Sequence, residues 1–294
     1  MHQYLKAIGF GDIRSKRELY RILTQTEEDY TNHQLILDDE ETDYCEFQKE
    51  YGAGIGITVF GNMDIDSTFR KQYYYPYFLG TGITSYSDVA IERKSDREAY
   101  IGICEDSRLA INLIFHVQNT MEYLKELQIS KADGVRYSSV TLSALANEGM
   151  ILLPVKKNEM QQEKQKQEVT NRMRLVNAAK AGDPIAIESL TLDDIDTYSK
   201  VSRRLITEDI FSIVETSIMP YGIECDKYSI LGTIMELTMI ENEETEEELY
   251  IMNLEVNDLR FDLCVPVSRV VGEPAIGRRF KGNVWMQGRI NFGD

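Results

Sequence analysis

From Gly277 to Phe292 the chain alternates so regularly that only an extended strand with two unlike faces satisfies the pattern. Phe280, Val284, Met286, Ile290 and Phe292 fall on one face with two glycines, and that face belongs in a core. Arg279, Lys281, Asn283, Trp285, Gln287, Arg289 and Asn291 fall on the other. This second set gathers three cations, three amides and the only Trp of a 294-residue chain whose formal net charge is −17. It is expected to be a binding face, with Arg279, Lys281, Trp285, Gln287 and Arg289 contacting an anionic group through charge-assisted hydrogen bonds and stacking. The competing expectation is structural: the cations pair with the chain's own carboxylates while Trp285 packs under a helix, since the second face of a strand is often covered by its own protein.

Charge bounds the partners. With 32 Lys and Arg against 49 Asp and Glu, the overall field repels phosphate polyanions and anionic lipid headgroups, so nonspecific nucleic-acid binding is disfavoured. A local basic strip still attracts an anion, because screening confines surface fields to about 8 Å at physiological salt. A protein or a small anionic ligand are the candidate partners. Cys45, Cys104, Cys225 and Cys264 are scattered without a C-x-x-C pair and read as reduced thiols. The longest apolar stretch, Leu109 to Val117, is too short to span a bilayer, and Met1 to Phe10 lacks the form of an export signal. These features point to no membrane and to the cytoplasm.

The length suggests two compact units, and the fold class expected is α+β. Residues 1–155 read as an N-terminal unit, mainly an antiparallel sheet with helices. A helix over Ser15 to Asn32 precedes strand candidates at Tyr44–Glu50, Gly54–Phe60, Gln72–Phe78, Ser87–Arg93, Ala99–Cys104 and Leu109–Gln118. Thr120–Gln128 and Thr141–Asn147 read as short helices and Met150–Val155 as a buried strand. Residues 156–190 form a charged helical connector, built on a solvated helix over Lys156 to Ala181 that Gly182, Asp183 and Pro184 stop before another begins. Residues 191–294 read as a small β-barrel-like unit with helices. Thr191 is expected to cap a helix over Leu192 to Leu205, followed by strands at Ile210–Met219, Ser229–Ile240, Leu249–Val256, Leu259–Val265 and Arg279–Asn291. Five strands suffice to close a barrel, but the long gap Ser268–Arg278 falls after the fourth, whereas an oligonucleotide-binding barrel carries its helix after the third.

Four segments carry a family resemblance: the opening Met1-His2-Gln3-Tyr4-Leu5-Lys6-Ala7-Ile8-Gly9-Phe10, the stretch Glu188 to Tyr198, the stretch Met219-Pro220-Tyr221-Gly222-Ile223-Glu224-Cys225, and the ending already described. On these the chain resembles, over nearly its whole length, a bacterial (clostridial) family of about 290 residues recorded as a domain of unknown function. The resemblance implies a bacterial cytosolic origin and no particular chemistry.

Motifs with a mechanism are scarce. Asp193, Asp194 and Asp196 cluster at an expected helix start, where acidic residues complement the helix dipole without any metal. Gly52, Gly54 and Gly56 lack the strand, G-x-G-x-x-G and helix order of a phosphate cradle. Neither metal nor cofactor is expected. Tyr73, Tyr74, Tyr75, Tyr77 and Phe78 serve as core packing more readily than as a stacking platform. His116 sits in an apolar strand, where a satisfied core histidine outweighs a general base. The sequence therefore favours a non-enzymatic cytosolic binding or adaptor protein using the Trp285 face. The alternative is a hydrolase-type enzyme with carboxylates and His116 between the two units.

Overall fold

The computed structural model describes residues 2–36, 43–64, 66, 68–94, 99–109, 111–130, 137–155, 170–172, 174–204 and 209–292. It is an α+β protein with two sheets. The first is a four-stranded antiparallel meander of β1 (Asn32–Ile36), β2 (Asp43–Glu50), β3 (Ile55–Met63) and β4 (Phe69–Phe78). Helix α1 (Lys16–Glu28) begins at a Ser15–Glu18 capping box, in which each partner satisfies the other's free backbone N–H, and packs on β2 and β3 through Ile22 and Leu23. A 3-10 helix at Gln3–Ile8 buries Tyr4, Leu5, Ala7 and Ile8.

The second sheet is mixed. It holds β5 (Val89–Arg93), β6 (Tyr100–Cys104), β7 (Leu113–Val117), β8 (Tyr137–Ala146), β9 (Gly149–Leu152), β10 (Ser217–Pro220), β11 (Lys227–Glu241), β12 (Glu248–Val256), β13 (Leu259–Pro266), β14 (Val270–Val271) and β15 (Arg279–Phe292). Helices α2 (Thr120–Ser130), α3 (Pro184–Arg204) and α4 (Ile210–Ile213) complete the labelled elements. Strands from before and after the connector pair with one another: β15 runs antiparallel to β8 and parallel to β7.

Five strands close on themselves in the order β11, β12, β13, β8, β15 and back to β11. Every neighbouring pair is antiparallel except β13 with β8, where Leu263 lies opposite Ala144. The long β11 bends at an irregularity between Ile234 and Glu236, giving its first half to β15 and its second half to β12. Counted with β8 last, this is the order of an oligonucleotide-binding barrel whose chain has been opened at a different loop. The gap around Ser268–Arg278, entered through a 3-10 turn at Val267–Arg269, then follows the third barrel strand, where that architecture places its helix.

Several expectations are corrected. Thr141–Asn147 is not a helix: most of it belongs to β8, because Val140, Leu142, Ala144 and Ala146 face the barrel interior while Leu145 packs toward the first sheet. Burial on both faces overrode a helix-compatible composition. The expected strand Ile210–Met219 opens instead as α4, capped by Asp209, and becomes extended only at Ser217. Thr191 does not cap a new helix, since α3 runs unbroken from Pro184 and the Thr191 hydroxyl donates to the Ile187 carbonyl. Asp183 supplies the cap, accepting from Ile185 N at 2.9 Å. Residues 156–169 of the expected Lys156–Ala181 helix lie outside the described residues, while 170–172 and 174–180 are helical.

The core has two parts, the barrel interior and the layer between the barrel's outer wall, the first sheet and the N-terminal 3-10 helix. The glycines on the apolar face of β15 are sterically required. A Cβ at Gly288 would lie 2.5 Å from the Phe115 ring and one at Gly282 2.8 Å from that of Phe280.

Candidate functional site

The final strand is extended, as its alternation dictates, but its second face is not open to solvent. Trp285 is 5 % exposed, Arg279 4 % and Gln287 fully buried, because the first sheet and the N-terminal segment lie across the middle of that face and the α4 segment covers its start. Trp285 stacks on Tyr4 with ring centroids 5.6 Å apart, meets His2 at 4.7 Å and His116 at 5.2 Å, and Tyr75 approaches it edge-on. Arg279 meets carbonyls rather than carboxylates: Leu153 O, Phe211 O and Val214 O accept from its guanidinium at 2.7 Å. Lys281 lies over the Phe211 ring, 4.2 Å from its centroid. Both cations thus hold α4 against the barrel. Gln287 donates to Pro76 O at 2.8 Å and accepts from Phe78 N at 3.2 Å, joining β15 to β4.

Of the five expected contact residues only Arg289 is exposed. It reaches a small cleft of about 110 Å³ between the two sheets. The first sheet contributes Asn32, Gln34, Gln48 and Tyr77, and the opposite wall contributes Gln118, Asn119, Glu122 and Arg289. Arg289 donates to Glu122 Oε1 at 2.7 Å, and Asn119 Nδ2 donates to Glu122 Oε2 at 2.8 Å. Asn119 is itself locked by Ile290, whose N–H and carbonyl it engages at 3.0 and 2.8 Å. Gln118 Nε2 donates to Phe78 O and to Gln287 Oε1, so the buried Gln287 forms the cleft's support. On the first sheet Asn32 donates to Gln48 and Gln48 donates to Glu46 at 3.0 Å, while Lys125 donates to Gln34.

Glu46 lies behind Gln48, 1 % exposed, and its Oε2 has no hydrogen-bond partner among the described residues. Burial first, then the nearby Glu122, raises its pKa to about 8, so it is a neutral acid at pH 7. Arg289 and Glu122 offset each other, which leaves the cleft without net charge. Among the described residues, the amide oxygens of Gln118 and Asn32 and the amide nitrogen of Gln34 remain uncommitted. No sequence motif marks these amides, because they converge from β1 and the β7–α2 turn, which are far apart along the chain.

A second polar cluster lies beneath Trp285. Lys94 Nζ donates to Asp226 Oδ2 at 3.1 Å, and Asp226 is 1 % exposed. Burial pushes Asp226 up, yet Lys94 and then the indole N–H outweigh it and the carboxyl stays below its usual value. His116 is 4 % exposed, and burial, then Lys94, lowers its pKa to about 3. Neither His116 Nε2 nor Asp226 Oδ1 has a hydrogen-bond partner among the described residues. His116 is thus the buried histidine expected of an apolar strand, but with Nε2 unpartnered among the described residues.

Other candidates resolve into packing. Tyr73, Tyr75, Tyr77 and Phe78 are buried. His33 Nε2 lies 3.3 Å from Cys45 Sγ, but burial, then Glu46, pushes that thiol up to about 11, far from a reactive thiolate. Asp193, Asp194 and Asp196 are exposed on α3, Asp194 paired with Arg172 at 2.8 Å. Among the described residues no group of three or more His, Cys, Asp or Glu side chains is placed to hold a metal ion. No helix among them is long and apolar enough to cross a membrane. The outward face of β12 and β13, which binds oligonucleotides in the barrels this one resembles in topology, is covered by the N-terminal segment: Cys264 donates to Ala7 O at 3.2 Å.

Neither the curated proteins nor the solved structures contain a match to this chain. Residues 5–288 match the model of the family described as "Domain of unknown function, E. rectale Gene description (DUF3881)", and over that span the chain belongs to this family.

Proposed function

We propose that the chain is a cytosolic, non-enzymatic binding protein whose recognition site is the cleft at the end of β15, and that its ligand is a small uncharged molecule or group rich in hydroxyls or amides. The observation that carries this reading is the convergence of amide side chains from the first sheet and from the β7–α2 turn around an Arg289–Glu122 pair that is already neutralised. Amides offer donors and acceptors in equal number, which suits hydroxyl and amide partners. An anionic ligand would have to displace Glu122 from Arg289 and would then lie beside an unpaired carboxylate. The volume of about 110 Å³ compares with roughly 150 Å³ for a cavity that holds a benzene ring, so the cleft takes a single ring edge or a short chain. Four free cysteines support a reducing compartment.

The test is side-chain amide NMR with acetamide, glucose and acetate as separate probes. Acetamide or glucose should move the NH2 signals of Asn32, Gln34 and Gln118, and Arg289→Gln should weaken the effect without unfolding the protein. A response to acetate alone would replace the uncharged ligand with an anionic one, and no response to any probe would end the reading.

The second reading is a hydrolase using His116 and Asp226, favoured by the two unpartnered buried atoms beneath Trp285. A histidine whose basicity is lowered to about 3 is a poor general base near pH 7, which ranks this reading below the first.

A further inference from the structure

Glu46 stands where the cleft's amide chain ends. Asn32 donates to Gln48 Oε1 and Gln48 Nε2 donates to Glu46 Oε1, so the rim of the cleft is wired to a carboxyl that solvent does not reach. The other carboxyl oxygen is buried without a partner among the described residues, a position tolerable for an uncharged acid and expensive for an anion. Among the described residues only the Lys125 ammonium favours its anion, and that ammonium makes its hydrogen bond to Gln34 and not to the carboxyl. Helix α2 presents Glu122, already bound to Arg289 and Asn119, and Lys125, whose ammonium donates to Gln34 at 3.0 Å. Strand β4 presents the phenols of Tyr75 and Tyr77, and β2 itself the Cys45 thiol, none of them a cation, and a charged Glu46 opposes the ionisation of all three.

We propose that Glu46 is the specificity-determining residue of the cleft: as an uncharged acid it keeps the site fit for an uncharged ligand, and loss of its proton expels that ligand. Ionisation places a second carboxylate near Glu122, where Arg289 is already engaged by Glu122 and Lys125 by Gln34. The existing bond from Gln48 Nε2 to Glu46 becomes charge-assisted and tightens, and the rim amides lose the arrangement that presents them to a ligand. This inference rests on the cleft being the binding site. The shift of Glu46's proton equilibrium to about 8 sets the pH range in which the change is read.

The experiment is acetamide binding by NMR to the full chain and to its Glu46→Gln variant at pH 6.5 and pH 9.5, with folding checked by circular dichroism. Wild type should bind at least about fivefold more weakly at the higher pH, whereas Glu46→Gln, which cannot ionise, should bind equally at both. Equal wild-type affinity at the two pH values, with Gln118 and Asn119 signals still responding, overturns the role of Glu46 and leaves the cleft in place. A matching loss in Glu46→Gln overturns it too, because another group is then titrating. Absence of any response from cleft side chains at either pH overturns both the cleft reading and this one. A separate check needs no ligand: the Glu46 carboxyl carbon should titrate with a midpoint about 8, and a midpoint in the ordinary carboxyl range overturns the proposal.

Discussion

The indole of Trp285 and the imidazole of His116 lie 5.2 Å apart, centroid to centroid, in a layer that also holds His2, Tyr4 and Tyr75. This aromatic layer, and not a ligand, occupies the face of β15 that carries the chain's single Trp. It joins the first sheet to the barrel and buries a histidine that must stay neutral.

A histidine whose folded pKa is lowered is penalised when it takes a proton. Between about 6.5, the unfolded value, and about 3 the unfolded chain binds one more proton than the folded one, so stability is lost as pH falls through that window. Urea unfolding of His116→Phe should show a shallower acid limb, retaining on the order of 3 kcal/mol that wild type loses between pH 7 and pH 4. At pH 7 the variant should match wild type closely, because it removes an unpartnered buried nitrogen. Equal acid limbs would show that another group titrates there.

Glu46 gives the opposite slope. Its folded pKa is raised from 4.5 to about 8, so the folded chain holds the extra proton, and stability is greatest below the unfolded value and lost as pH rises through the folded one. Glu46→Gln should therefore be more stable than wild type at pH 8.5 by on the order of a few kcal/mol, with the advantage vanishing near pH 4. Thermal unfolding across that range checks it, and a pH-independent difference would count against a buried neutral acid.

Asp106 supplies a third trend. Burial pushes it up, but Arg108, with Ser85, holds it down to about 2. Arg108 donates to both carboxyl oxygens, to Thr84 O and to Asp258 O, fastening the β6–β7 loop to the β4–β5 segment and to the β12–β13 turn. Asp106→Asn should cost about 3 kcal/mol at pH 7, since it leaves a half-buried guanidinium without its anion. For a carboxyl with a lowered folded pKa the stability is present above the unfolded value and disappears as pH falls toward about 2. The gap between variant and wild type should shrink over that interval.

Arg289 separates recognition from folding. Its ion pair with Glu122 is 47 % and 35 % exposed, so solvent screening leaves it worth a few tenths of a kcal/mol. Arg289→Gln should unfold within about 0.5 kcal/mol of wild type while weakening probe binding severalfold. Large destabilisation would identify a structural strap in place of a recognition residue.

The alternation from Gly277 to Phe292 was enough to make β15 a strand and to sort its side chains, because a period of two is a local property. Comparable local signals made α1 and β12–β13 legible, through an apolar stripe at Leu19, Ile22 and Leu23 and a two-residue turn at Asn257–Asp258. What covers a face is not local. Trp285, Gln287 and Arg279 are buried because β4, the N-terminal segment and α4 come to lie on them, contacts between residues more than sixty positions apart. Nor could the sequence reveal that β8, which reads as helix, is the fifth barrel strand, since its extended state is imposed by β13 and β15 on either side.

By itself, then, the chain's pattern of apolar and polar residues determined which segments are extended and which helical wherever the period was clean, and its composition a formal net charge of −17. Tertiary structure alone decided barrel closure, the burial of the Trp285 face and the assembly of a cleft from Asn32, Gln34, Gln48, Gln118, Asn119 and Arg289. The physical reason is that a side chain's environment is set by long-range packing, whereas its periodicity is set by its neighbours in the chain.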